Sequence, residues 1–136
     1  MKADLSVVRA LRTLYPKLHD EIYVFCQVSD SRFTDILSES LCFFREGEGM
    51  SVILPQRSAR QLDIAASAPF RQITLQILAG LDAVRVIPVV AQELMEAGID
   101  TSVVSTLHRD HIFVPDERAE FAVKILRGIR NRVQYS

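Results

Sequence analysis

The chain has 136 residues, of which 49% are hydrophobic and 24% charged, with a formal net charge of -1. That is the make-up of a globular protein with one ordinary domain or two small units. It excludes a broad cationic field for nucleic acid or an anionic membrane, and no apolar run reaches the roughly 18 residues that span a bilayer. The opening stretch MKADLSVVRALRTLYPKL mixes too many charges with its apolar residues for an export signal, so the expected compartment is the cytoplasm. Cys26 and Cys42 are then expected as reduced, buried thiols, Cys42 the more firmly in the core.

Leu5, Val8, Leu11 and Leu14 recur at helical spacing, and Pro16 closes this first helix. Glu21 to Ser29 is aromatic and β-branched and reads as a strand. Asp30 can cap a short helix through Phe33, Ile36, Leu37 and Leu41. Gly47 and Gly49 mark a turn, Met50 to Leu54 is a second strand, and Gln56 to Leu62 makes one or two helical turns. Ala65 to Pro69 is the one linker-like stretch, which divides the chain into residues 1–67 and 68–136, each holding strand, helix and strand.

The second half begins with Gln72, Thr74 and Gln76 alternating with Ile73, Leu75 and Ile77, a period of two that buries one face and leaves the other polar. After a turn around Gly80 comes a helix with Val86, Val90, Leu94 and Ala97 on one stripe. Gly98 suits the left-handed position after its last turn, and Ile99 can fold back onto it. Asp100 to Leu107 and His111 to Val114 read as two strands of an antiparallel hairpin joined by His108, Arg109 and Asp110. Ala119, Ala122, Val123, Leu126 and Ile129 line the buried side of a last helix opened by Pro115 and Asp116. Apolar residues such as Phe25, Val104 and Phe113 fall on both parities of their strands, which suggests cover from another subunit.

No segment carries a recognisable catalytic kit. His108, Asp110 and His111 are ligand-type residues, but successive hairpin positions diverge, so no metal is expected. Cys26 with His108 or His111 would be a nucleophile and base, yet Cys26 sits in an apolar strand where thiols are inert. Glu46 and Glu48 flank a glycine in a surface turn rather than a cleft. Arg127, Arg130 and Arg132 complement the negative end of the last helix. The turn Ala79 to Ala83 is more suggestive. It joins a strand to a helix start, where free N–H groups attract carboxylates, and Gly80 permits close approach. Beside the Thr106 to Asp110 hairpin it would match both charges of an amino acid; a plain turn and cap has the same spacing.

Leu81 to Val86, Glu96 to Ile99 and Ser105 to Pro115 resemble ACT domains and, more narrowly, the ACT_7 or CASTOR-type group of small bacterial tandem ACT-like proteins. Tyr15 to His19, Tyr23 to Phe25, Phe44 to Glu46 and Met50 to Pro55 are similar to the first half of those proteins. The resemblance implies an α+β, ferredoxin-like βαββαβ ACT domain with an ACT-like N-terminal half packed beside it. It implies a non-enzymatic, regulatory module, without cofactor or metal, that binds an amino acid or similar small ligand as a homodimer. Carried over residue by residue, the ligand contacts are Gly80, Val84, Thr106, Leu107 and Asp110, with Asp110 meeting a cationic group. Arg85 stands where the group carries glycine, and Ala83 where its arginine sensors carry an acid. Arg85 either recruits the ligand carboxylate or fills the pocket. In the latter case the chain is a structural or protein-interaction module that has lost its ligand.

Overall fold

In the computed structural model, residues 5–78 and 85–134 are described. In chain order the elements are α1 (Leu5–Arg12), β1 (Tyr15–Val28), a 3-10 turn (Asp30–Arg32) running into α2 (Phe33–Ile36), β2 (Cys42–Glu46), β3 (Gly49–Pro55), α3 (Gln56–Gln61), β4 (Phe70–Gln76), α4 (Val86–Glu96), β5 (Ser102–Ser105), β6 (Asp110–Pro115), and α5 (Ala119–Gln134) after a second 3-10 turn. They form two compact units, a larger one of Met1–His19 with Arg71–Ser136 and a smaller one of Asp20–Phe70. The fold is α+β, with the ferredoxin-like βαββαβ pattern of alternating strands and helices.

In the larger unit the strand order is β1-β4-β6-β5. The sequential run β4-α4-β5-β6-α5 supplies most of a βαββαβ module, and the start of β1 takes the place beside β4 that belongs to the last strand of that pattern. One face of these strands carries Ile73, Leu75, Ile112 and Val114 into an aliphatic core with Val86, Val90, Leu94, Ala122, Leu126 and Ile129 of the helices. α1 adds Ala10 and Leu11, while Leu5, expected on the buried stripe, is 73% exposed. α4 ends as its sequence predicts. Gly98 has φ 74°, and the Gly98 and Ile99 N–H groups donate to the carbonyls of Met95 and Leu94 at 2.9 and 3.0 Å. Ile99 is thereby buried against its own helix.

The smaller unit has the order β2-β3-β1, antiparallel throughout, with Tyr23 opposite Pro55 and Val28 opposite Met50. Val24, Cys26, Val28, Met50, Val52 and Leu54 point to one face and meet Ile36 and Ala59 from the helices. Gly49 closes the β2–β3 turn at φ 130°, where a Cβ would stand 2.7 Å from the Val28 carbonyl oxygen, so any side chain would strain the turn.

Three elements differ from their sequence readings. β1 begins at Tyr15, not at Glu21, and runs straight through Pro16. The Phe25 carbonyl accepts the Ser67 N–H at 3.0 Å and the His19 carbonyl accepts Arg71 Nε at 2.8 Å, so odd-numbered residues of β1 turn their peptide groups toward β4. Pro16, being even, has its missing N–H on the other side, where it removes no ladder bond. Second, the helix expected as far as Leu41 stops at Ile36, and Cys42–Glu46 is an edge strand with Phe43 and Phe44 exposed. Cys42 is consequently half-buried, and Cys26 is the buried thiol. Third, Phe113 is 1% exposed within the single chain, so its burial needs no second subunit.

Candidate functional site

The sequence-predicted site divides. Gly80 and Val84, with the rest of the turn at 79–83, lie outside the described residues. Arg85 is the N-cap residue of α4 and is exposed. Thr106 and Leu107 lie in the β5–β6 turn and Asp110 opens β6, the ladder closing on the pair Ser105 and Asp110. Thr106 holds that turn together. Its N–H donates to the Arg109 carbonyl at 2.8 Å, its hydroxyl donates to the same oxygen at 2.8 Å, and the Arg109 N–H donates to the hydroxyl at 3.2 Å. The side chain that bonds the turn backbone is therefore Thr106. Leu107 stands at the tip, 92% exposed. Asp110 is half-buried at the point where turn becomes strand. The turn thus offers a rigid backbone, a projecting apolar side chain and one carboxylate.

His108 and His111 do not converge. His108 is exposed in the turn, whereas His111 reaches across to β4. Among the described residues no three metal-ligating side chains form a cluster. Burial pushes the Cys26 thiol up, away from the reactive thiolate, as expected for a core cysteine. Glu46 accepts a hydrogen bond from the Ser51 hydroxyl across the β2–β3 hairpin, a structural use of that carboxylate. Of the three C-terminal arginines, Arg132 pairs with Glu93 at 2.7 Å and Arg130 donates to the Leu14 carbonyl at 3.5 Å.

The group that sequence reasoning missed is polar and buried. Gln72 and Thr74, expected on a water-facing side of β4, are 6% and 5% exposed. They are buried because they are bonded. Thr74 Oγ1 lies 2.7 Å from His19 Nε2 on β1 and 3.0 Å from His111 Nδ1 on β6, and Gln72 Nε2 lies 3.1 Å from the same His111 nitrogen. Three adjacent strands are thus tied on the face opposite the helices. A Gln72 amide donating to Nδ1 requires a lone pair there, which only the neutral ring tautomer with its proton on Nε2 provides. The pKa of His111 is lowered, chiefly by burial; Asp110 opposes this and Arg109 adds to it. The alternation Gln, Thr, Gln gave the parity correctly. What it lacked was the pairing order that sets a histidine on each side of Thr74.

An α+β chain with this strand order and element pattern belongs to the ferredoxin-like class. The chain is a member of the ACT domain family. One ACT domain signature matches residues 4–71 and a second matches residues 67–128. No protein of curated function matches it. Among solved structures it is similar to a Vibrio cholerae protein of unknown function described as a possible transport protein, with 35% identity, 93% of this chain and 97% of that one covered, and a TM-score of 0.84. An Agrobacterium tumefaciens protein has 20% identity and a TM-score of 0.68, covering 86% and 89%. The ligand-free regulatory subunit of aspartate kinase from Thermus thermophilus has 11% identity and a TM-score of 0.63, covering 84% and 95%. At those last two identities the likeness is one of fold.

Proposed function

We propose that this chain is a non-enzymatic regulatory module that binds a small amino-acid-like ligand at the β5–β6 turn and the start of α4. The observation that carries this reading is the pair of ACT domain matches, which together extend from residue 4 to residue 128. The similarity of fold to an aspartate kinase regulatory subunit supports a regulatory role. The turn itself suits a zwitterion. Thr106 fixes its backbone, Asp110 offers a carboxylate to an ammonium or guanidinium, and Arg85 at the head of α4 offers a cation to a carboxylate. Leu107 would contribute apolar contact from a second copy or to the ligand's side chain. Ligand would act by favouring one packing of a homodimer over another, a population shift rather than a chemical step. The cytoplasm is the compartment that goes with such a role.

A thermal-shift screen of the twenty amino acids tests the reading, because a ligand that binds only the native state raises the melting temperature. For whichever amino acid responds, Asp110→Ala should weaken binding about tenfold or more in calorimetry while stability stays within about 0.5 kcal/mol of the parent. Equal affinity in parent and variant would exclude Asp110 from the site. The second reading is an interaction module that has lost its ligand. Arg85 and the exposed Phe43 and Phe44 on edge strand β2 favour it, Phe44 being 71% exposed. Silence from all twenty amino acids, with Arg85→Gly as inert as the parent, would support that alternative.

A further inference from the structure

A groove of about 520 Å³ in the larger unit lies between the start of β1 and the outer side of α5, away from the β5–β6 turn. That volume is within the range of small-molecule sites. Its apolar floor comes from Pro16, Leu18 and Val123, and an aromatic ring stands on each side, Tyr15 from the strand and Phe121 from the helix. Tyr15 and Phe121 are 53% and 49% exposed, an unusual allowance of aromatic surface for one cleft. Arg118 lies 5.2 Å from the centroid of the Phe121 ring, which fixes one of its faces.

The charges around this apolar strip are lopsided. Lys17, Lys124 and Arg127 line it against a single carboxylate, Glu120. Among the described residues none of these three cations makes an ion pair or a side-chain hydrogen bond. Arg130 and Arg132 on the same helix are both engaged. An uncommitted cationic rim over an apolar strip calls for an anion with an apolar body.

The strand edge decides between a small molecule and an added peptide strand. The ladder of β1 with β3 begins at Tyr23, so the edge at Pro16 and Leu18 is open. Pro16 has no N–H to offer on that side, and Lys17 is charged, two features that discourage strand addition. We propose that this groove is a second ligand site, distinct from the β5–β6 turn, that takes a small organic carboxylate with an apolar or aromatic body. The body lies on Pro16 and Val123 between the two rings. The carboxylate meets Lys124 and Arg127 on α5.

Phenylacetate and its uncharged isostere phenylacetamide provide the test, followed by amide NMR shifts and calorimetry on the intact chain. Phenylacetate should give saturable shifts at Leu18, Val123, Lys124 and Arg127, and phenylacetamide should bind on the order of tenfold more weakly, as should phenylacetate to Lys124→Gln/Arg127→Gln. Both side chains are exposed, so that variant should keep the parent's circular dichroism. Raising salt should weaken phenylacetate binding because the rim charges are screened. Asp110→Ala should leave these shifts unchanged, which separates this site from the one proposed above. Equal binding of acid and amide, shifts that persist in the double variant, or no saturable shift at groove residues would each overturn the proposal.

Discussion

The two faces of β4 are built on opposite principles. Toward the helices, Ile73 and Leu75 enter a dry aliphatic core. On the other side Gln72 and Thr74 are nearly as well buried, but there His19, His111, the hydroxyl and the amide satisfy one another. The first face is held by apolar area removed from water, which is non-directional and tolerant of neighbours of similar shape. The second is held by geometry, and its polar atoms gain little over their bonds to water while costing much if left unpaired. The difference teaches what each face is suited for. An aliphatic face stabilises in bulk, whereas a bonded face fixes the register of β1, β4 and β6 and makes that register responsive to protonation.

The largest effect should come from the dry side. Leu75→Ala removes a side chain that is 3% exposed and should cost about 2–5 kcal/mol in urea denaturation. A loss below 1 kcal/mol would mean that the aliphatic face repacks and the contrast between faces is weaker than the burial suggests. On the bonded side, Thr74→Val keeps the shape of the side chain but removes the hydroxyl that meets His19 Nε2 and one of the two bonds at His111 Nδ1, Gln72 keeping the other, at about 1–3 kcal/mol. Thr74→Ser, which retains the hydroxyl, should recover most of that loss; a serine variant as unstable as the valine would show that the methyl group matters and the hydroxyl does not.

A smaller effect follows from His111. Its folded pKa lies below the ordinary value of 6.5, so the unfolded chain binds the proton more tightly. Stability from this group is therefore complete above about pH 6.5 and declines as the pH falls from there through the folded pKa. Urea midpoints measured between pH 7.5 and 5 should show this decline in the parent and a flatter profile in His111→Gln. Identical profiles would remove His111 from the acid response. The smallest stability change is expected at Asp110, where only ligand affinity should move.

Legibility in the sequence followed the range of the interactions. The stripe of α4, its ending at Gly98 and Ile99, and the buried side of α5 were all readable, because helix periodicity and capping involve residues within about a turn of one another. The hairpin of β5 and β6 was readable for the same reason, although its turn spans residues 106–109 rather than 108–110, with Asp110 already paired in β6. The early start of β1 was not, since Pro16 is tolerated only because its peptide group faces away from β4, and neighbouring residues do not reveal that. Edge strand β2 was hidden by the aromatic run around Cys42, which in isolation looks like core.

Of the site, the turn residues were visible and their division of labour was not. Thr106 and Asp110 are both plausible turn-bonding side chains, and only the coordinates show that Thr106 makes the bonds. The sequence by itself determined the identity of most elements but not of β2, the family pattern they follow, and the parity of β4, because alternation and capping are local properties of the backbone. The tertiary structure decided which strands are neighbours, and therefore that a polar row is a buried network and that Tyr15 and Phe121 border one groove. Contacts between residues this far apart in the chain, 37 to 55 positions in the polar network, depend on how the chain closes its sheet, which no local pattern encodes.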